Sequence, residues 1–351
     1  MSNTTPDILG VVQGRATSAL ADALGNVIKD TYITNVTYDS STHTLSFWCG
    51  SVLKYSCVVA QPMQDDITKP LYLLSKQNGS TIRLVDVGLN EPFQTSTDNV
   101  TWSDYTFDSD IVLDDGEGVY FRIKSERIAA GNAYKCVKFR VLNGVIEAYN
   151  NILSLVHPTN FANITSNTLD CLFIDIFEVT STDVGIYKAP LLPLTTIGNY
   201  AYKRMFYGCT HLSKAPELPA NIAGVYCYQE MFSGCTSLTL PPDLPSTSVH
   251  DGCYDSMFLG CTSLTKGPAL PATSLPGTGS GVYYKMFQGC TSITEIRIYA
   301  TSGTSAVNLD DWLYRASPTG DFYCVPGAEF QSNINGIPSG WTRRDINDYP
   351  N

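Results

Sequence analysis

Four nearly identical phrases constrain what this chain can fold into. AYKRMFYGCTHL begins at Ala201, CYQEMFSGCTSL at Cys227, CYDSMFLGCTSL at Cys253 and VYYKMFQGCTSI at Val282. Their Met-Phe pairs start at Met205, Met231, Met257 and Met286, so the steps are 26, 26 and 29 residues. Self-similarity at a period in the twenties marks a stack of repeated units rather than one closed core. A unit this small cannot bury its own apolar face, so the units must stack and the outermost ones need caps.

Each repeated position has a physical reason. Tyr202, Met205 and Phe206 stand at i, i+3 and i+4, which predicts one apolar face of a short helix. Gly208, Gly234, Gly260 and Gly289 follow that turn, where a helix end favours a residue tolerant of positive φ. A second phrase, KAPELPA from Lys214, LPPDLPS from Leu240 and KGPALPA from Lys266, alternates with the first. Pro216 and Pro219 forbid a helix there and hold the chain extended. The Leu between those prolines and the Leu of Thr-Ser-Leu should point inward.

Gly-Cys-Thr-Ser-Leu-Thr followed by Pro-x-Leu-Pro-Ala resembles the BspA-like branch of the leucine-rich repeats. GDFYCVPGAEF and GIPSGWT resemble the tail that closes such arrays. The resemblance covers residues 161–342 and implies a solenoid with one short strand and one short helix per rung, a binding role and no catalysis. This family occurs in surface proteins of gut and oral bacteria and in phages that infect them. GNVIKDTYI is similar to N-terminal segments of phage fibre subunits, and residues 93–125 resemble a small β-sandwich module that precedes such repeats.

The expected fold is therefore mainly β. Residues 1–34 form an attachment or oligomerisation arm, with Leu20, Leu24, Val27, Ile28 and Tyr32 as its contact residues. Residues 35–145 form an antiparallel β-sandwich, because short alternating strands recur there between Gly, Asn and Asp turns. ITNVTYDSSTHTLSFWCG reads as its first hairpin. Residues 146–200 are a linker and a degenerate capping rung, in which Ile176-Phe177 replaces Met-Phe. Residues 201–300 are the repeat, and 301–351 a C-terminal cap in which 309–314 form a short helix and Trp341 a lid.

Composition excludes several functions. The net charge is −11, from 22 basic and 33 acidic residues, and no basic patch exists, so nucleic acid is not an expected partner. No run approaches the roughly 20 apolar residues of a membrane span, so no membrane insertion is expected. The first residues lack a signal peptide's charged and apolar regions, which favours synthesis in a cytoplasm without export. Eleven cysteines occur, but there is no CxxC and only four histidines, so no metal site is expected. Cys209, Cys235, Cys261 and Cys290 share one repeat position, and Cys227 and Cys253 share another; both read as buried filler, with a Cys227–Cys235 disulfide left open. The acidic cluster Asp108, Asp110, Asp114, Asp115 and Glu117 fails calcium-loop spacing and reads as a solvated turn. His43, His157, His211 and His250 all read as surface residues, none beside a nucleophile, and no catalytic or cofactor-binding residue is assigned.

The functional expectation is a non-enzymatic virion structural protein of a bacteriophage: a tail fibre, head fibre or capsid decoration made in the host cytoplasm and carried on the particle surface. Its partners would be other virion proteins through the arm, sister copies as a dimer or trimer, and a host-surface glycan or protein. The inter-rung loops 220–225, 246–252 and 274–281 vary while the scaffold repeats, which is how repeat proteins build binding surfaces. His250, Ser274, Leu275, Pro276, Gly277, Thr278 and Tyr284 are the candidate ligand contacts. Tyr283, at the repeated core position, should instead pack between rungs. The alternatives are a bacterial surface adhesin of the same repeat type and, more distantly, a carbohydrate-active enzyme.

Overall fold

A computed structural model describes residues 35–39, 44–49, 52–58, 63–88, 91–127, 136–179, 184–276, 281–301, 306–333 and 335–349. The chain divides into two compact units, Met1–Met63 and Gln64–Asn351. The arm residues Leu20, Leu24, Val27, Ile28 and Tyr32 lie outside the described residues. In the first unit the expected hairpin is present. Strands β1 (Asn35–Asp39), β2 (Thr44–Cys49) and β3 (Val52–Val58) form an antiparallel meander, with Thr37 opposite Ser46 and Ser46 opposite Ser56.

The second unit opens with two facing sheets. One has the order β10–β5–β8: β5 (Ser80–Val87) runs between β8 (Asp110–Leu113) and β10 (Cys136–Asn143). The other contains β4 (Leu71–Ser75), β6 (Phe93–Ser96), β7 (Ser103–Asp104), β9 (Gly118–Ile123) and β11 (Val145–Tyr149) in the order β11–β4–β9–β6–β7. Period-2 alternation sends Ile82 and Leu84 of β5, and Phe121 and Ile123 of β9, into the shared core. The rings of Phe121 and Phe139 meet edge to face there at 4.9 Å. The sheets do not follow the expected span of 35–145. The meander belongs to the first unit, and β13 (Gly185–Lys188) adds a parallel strand beside β11, pairing Val145 with Gly185. A short parallel ladder, β12 (Ser166–Asn167), β14 (Thr196–Ile197) and β15 (Ile222–Ala223), leads into the repeats.

The repeats stack, but not through helices. Residues 200–208 form a chain of tight turns in which Tyr200, Arg204 and Gly208 have φ of 55°, 55° and 73°. A left-handed residue every fourth position prevents any α-helix, so the expected helical turn is absent. Backbone donors alternate instead. The amides of Tyr202, Arg204, Phe206 and Gly208 donate to the next rung, at Cys227, Gln229, Met231 and Ser233 carbonyls, over 2.8–3.0 Å. The amides of Lys203, Met205, Tyr207 and Cys209 donate three residues back within their own rung. The same pattern recurs in 226–234 and 252–260, and in residues 281–289 it is directed onto Asn308, Asp310, Trp312 and Tyr314. Non-glycine left-handed residues such as Arg204, Glu230, Ser256 and Lys285 each carry a backbone penalty of about 1–2 kcal/mol. Inter-rung hydrogen bonds, each worth about 1 kcal/mol net, offset it together with complete ring burial.

Those rings form two continuous columns. Phe139 of β10, Phe177, Phe206, Phe232, Phe258 and Phe287 lie 5.4–5.8 Å apart, within 15° of parallel. Phe173, Tyr202, Tyr228, Tyr254 and Tyr283 form the second column at 5.7–5.9 Å. Met205, Met231, Met257 and Met286 are buried as well, as are Leu212, Leu238, Leu264 and Ile293, and Leu218, Leu244 and Leu270 of the proline-rich phrase. Phe177 stacks on Phe206, and the Phe139 amide donates to the Ile176 carbonyl at 2.8 Å, joining sheet and stack.

At the far end, β16 (Ala269–Leu270), β17 (Glu295–Ile298), β18 (Gly320–Cys324) and β19 (Trp341–Asp345) make a parallel sheet. Trp312 covers Phe287 and Tyr283 at 6.1 and 6.5 Å. The only described part of the cap that is α-helical is α1 (Ala306–Leu309); residues 310–315 continue the turn ribbon, with Asp311 and Arg315 left-handed, so the helix expected over 309–314 is not formed. Trp341 is buried and its indole N–H donates to the Ser317 carbonyl at 2.9 Å.

Candidate functional site: loops and a proline-walled groove

The candidate ligand residues are dispersed in character. His250 is exposed, and its carbonyl accepts the Cys253 amide at 3.1 Å. Ser274 is exposed, whereas Leu275 is buried, so its side chain packs in the stack rather than facing a ligand. Pro276 is half-buried and its carbonyl accepts from Asn308 Nδ2 at 2.7 Å. Gly277 and Thr278 lie outside the described residues. Tyr284 is half-buried, with Lys285 Nζ 4.8 Å above its ring. Tyr283 is fully buried in its column. Tyr226, which flanks the first loop, has one face on Tyr200 at 5.2 Å and the other against Gly252, where a Cβ would come within 2.1 Å of the ring. Tyr226 is therefore half-buried between neighbouring rungs.

A concave feature of the repeats lies where the sequence assigns only a backbone constraint. The proline-rich phrases of successive rungs line a groove. One section, of 340 Å³, lies between Asp65, Ile67, residues 188–193 and residues 214–219. The next, of 600 Å³, lies between residues 213–219 and residues 239–245. They share Lys214, Ala215, Pro216, Glu217 and Pro219, so the groove crosses three rungs. Two of the few exposed large apolar residues face it: Leu240, 53% exposed, and Ile67, 42% exposed. Proline rings form flat aliphatic walls because the fixed φ leaves them few conformations. The signal was present as the 26-residue recurrence of Pro190, Pro216, Pro242 and Pro268.

Beside the rings runs a line of charge. Asp175, Arg204, Glu230, Ser256, Lys285 and Asp311 occupy equivalent left-handed positions, so sequence repeats become vertical neighbours. Arg204 bridges rungs: its Nε lies 3.1 Å from Asp175, its Nη1 lies 3.4 Å from Glu230, and Nη2 pairs with Glu178. Lys138 of β10 joins from the sandwich, 2.9 Å from Asp175 and 3.2 Å from Glu178. Burial pushes the Glu178 carboxyl up, but its contacts with Arg204 and Lys138 outweigh that and hold it below its ordinary range. Burial raises Glu230, and it raises Asp255 despite hydrogen bonds from Ser256 and Gln229, the latter at 2.6 Å. This array ties rungs together.

His157 is less open than a surface residue, with Nδ1 3.2 Å from Glu126. Among the described residues, no three or more His, Cys, Asp or Glu side chains converge as metal ligands. No helix among them is long and apolar enough to cross a membrane. The chain matches no protein-family model, no curated protein and no solved structure.

Proposed function

We propose that this chain is a non-enzymatic display and binding protein: a leucine-rich-repeat solenoid of the BspA-like kind, carried on the surface of a bacteriophage particle by its N-terminal arm and presenting its loops and groove to a host-surface glycan or protein. The observation that carries the binding half of this reading is the contrast between a buried position of one repeat and two positions that are half-buried or exposed. The fifth position of the proline-rich phrase is Leu192, Leu218, Leu244 and Leu270, all buried. The adjacent fourth position is Leu191, Glu217, Asp243 and Ala269, and the first is Lys188, Lys214, Leu240 and Lys266. A scaffold held constant beneath a varied surface is the design by which repeat proteins recognise partners. The phage setting rests on the resemblance of the repeats and of GNVIKDTYI, and the groove and the loops that follow it in each rung are the surface it would use.

The test is adsorption. Particles carrying Leu240→Asp with Lys214→Glu, or with residues 274–281 replaced by the shorter loop of the preceding rung, should bind host cells at least about tenfold less, the loss expected from about 1.4 kcal/mol of contact energy. The purified groove variant should melt like the parent, and the loop variant, which also replaces the buried Leu275, should keep the parent's far-ultraviolet dichroism. Unchanged adsorption by both would leave the repeats a structural decoration with no host ligand on this face.

A further inference from the structure

Two thiol columns run through the stack, and they are built differently. In the first, Cys209, Cys235, Cys261 and Cys290 each donate to a carbonyl: of Phe177 at 3.1 Å, Phe206 at 3.2 Å, Phe232 at 3.0 Å and Phe258 at 3.0 Å. Each of these thiols has a fixed main-chain acceptor. The second column consists of Ala201, Cys227, Cys253 and Val282, all fully buried. Only its two middle members carry sulfur, and their Sγ atoms lie 3.2 Å apart. The two rungs are held together at this level: the Tyr228 amide donates to the Cys253 carbonyl at 3.1 Å, and the rings of Tyr228 and Tyr254 lie 5.7 Å apart. Disulfides typically join Cα atoms about 5.5–6 Å apart with an S–S bond of about 2.05 Å. Closing the pair therefore needs the sulfurs to approach by about 1 Å, which side-chain torsions supply without moving a rung.

We propose that Cys227 and Cys253 are a latent cross-link between neighbouring rungs, closed by thiol–disulfide exchange. The Cys227 thiolate attacks a small disulfide, an S–S bond to Cys227 forms, and the small molecule's own S–S bond breaks, releasing one small thiol that carries a proton. The Cys253 sulfur then attacks the Cys227 sulfur, forming the protein disulfide and expelling the second small thiol with the second proton. The cysteines are oxidised by two electrons, and the small disulfide is reduced by two. In a reducing cytoplasm the pair stays open. Burial keeps the thiols slow to react in the closed stack, so exchange proceeds when the rungs transiently open. The closed bond constrains the unfolded chain across a sequence separation of 26, from Cys227 to Cys253.

The experiment takes the full chain, reduced and freed of reductant, and exposes it to 2-hydroxyethyl disulfide, an uncharged oxidant. The expected product is lighter by about 2 Da for the two hydrogens lost. Non-reducing peptide maps should join Cys227 to Cys253. The melting temperature should rise by about 5 °C and return on reduction. Cys227→Ala places the native residue of the neighbouring rung at this position; it should keep the parent's near-ultraviolet dichroism and show neither mass loss nor shift. Cys209→Ala should still form the link. The proposal is overturned if all thiols remain free, if Cys227 links to Cys235 instead, if the mixed disulfide accumulates unresolved, or if the link lowers the melting temperature.

Discussion

Replacing Phe232 with Ala removes a ring from the centre of the phenylalanine column. Phe232 is fully buried and lies 5.7 Å from Phe206 and 5.6 Å from Phe258, within 10° of parallel to both. Truncating a large buried ring usually costs about 3–5 kcal/mol, more where the site cannot collapse. Collapse is blocked here, because the rungs above and below are fixed by hydrogen bonds from Phe206 to Met231 and from Phe232 to Met257. Two ring contacts are also lost, each worth about 0.5–1.5 kcal/mol beyond area. The expected loss is therefore at the upper end, about 5 kcal/mol. In a nearest-neighbour stack the damage concentrates at the two interfaces of that rung, so the unfolding transition should also broaden or split. Denaturant unfolding followed by tyrosine fluorescence and far-ultraviolet dichroism measures both effects. Leu240→Ala, at an exposed site, serves as the control and should fall within about 0.5 kcal/mol of the parent. A Phe232→Ala loss below about 1 kcal/mol, with a single sharp transition, would refute the claim that the column carries the stack.

Two further outcomes follow from local geometry. Gly260 and Gly208 both have φ of +73°, but a Cβ on Gly260 meets nothing within 4 Å, whereas one on Gly208 lies 2.1 Å from the Val179 carbonyl oxygen. Gly260→Ala should therefore cost only the left-handed backbone penalty of about 1–2 kcal/mol, and Gly208→Ala clearly more, as read from denaturation midpoints. The raised carboxyl of Asp255 means the folded state holds a proton that the unfolded state has released, so its contribution falls as pH rises above the ordinary carboxylate range. Asp255→Asn should stabilise the protein at pH 7 and make little difference near pH 3, and a shift of equal size at both would contradict this. Glu178 is depressed, so the sign reverses: its stabilisation is present at neutral pH and is lost as pH falls below the ordinary glutamate value, a loss that Glu178→Gln should no longer show.

The columns were legible in the sequence because the same residue types recur at the same step, and stacking converts that step into contact. Met205, Phe206 and Leu212 and their counterparts could be placed inside before any coordinates. The backbone between them was not. Apolar residues at i, i+3 and i+4 suit a helix, but they also suit a ribbon with a left-handed residue every fourth position. Gly208, Gly234, Gly260 and Gly289 announced one of those positions; Tyr200, Arg204, Glu230 and Lys285 are side chains that ordinarily avoid it. The parallel pairing of Val145 with Gly185 was equally hidden, since GIYK carries no turn signal and its partner lies 40 residues earlier. The groove is hidden for a different reason: Pro216 and Pro219 read as restraints on the chain, and the same rings are also walls. Of the candidate ligand residues, exposure at His250 followed from its loop, while burial of Leu275 depends on packing that a single loop sequence does not encode.

The central functional claim is that this chain stands on a particle surface with its repeats outward. Immunoelectron microscopy on intact, purified phage encoding it, using antibodies raised against the exposed loop around His250, tests that most directly. Labelling at a fixed location on the outside of each particle is the expected result. Peptides of the chain absent from purified particles, or label confined to the surface of uninfected bacteria, would contradict it and point to the adhesin reading instead.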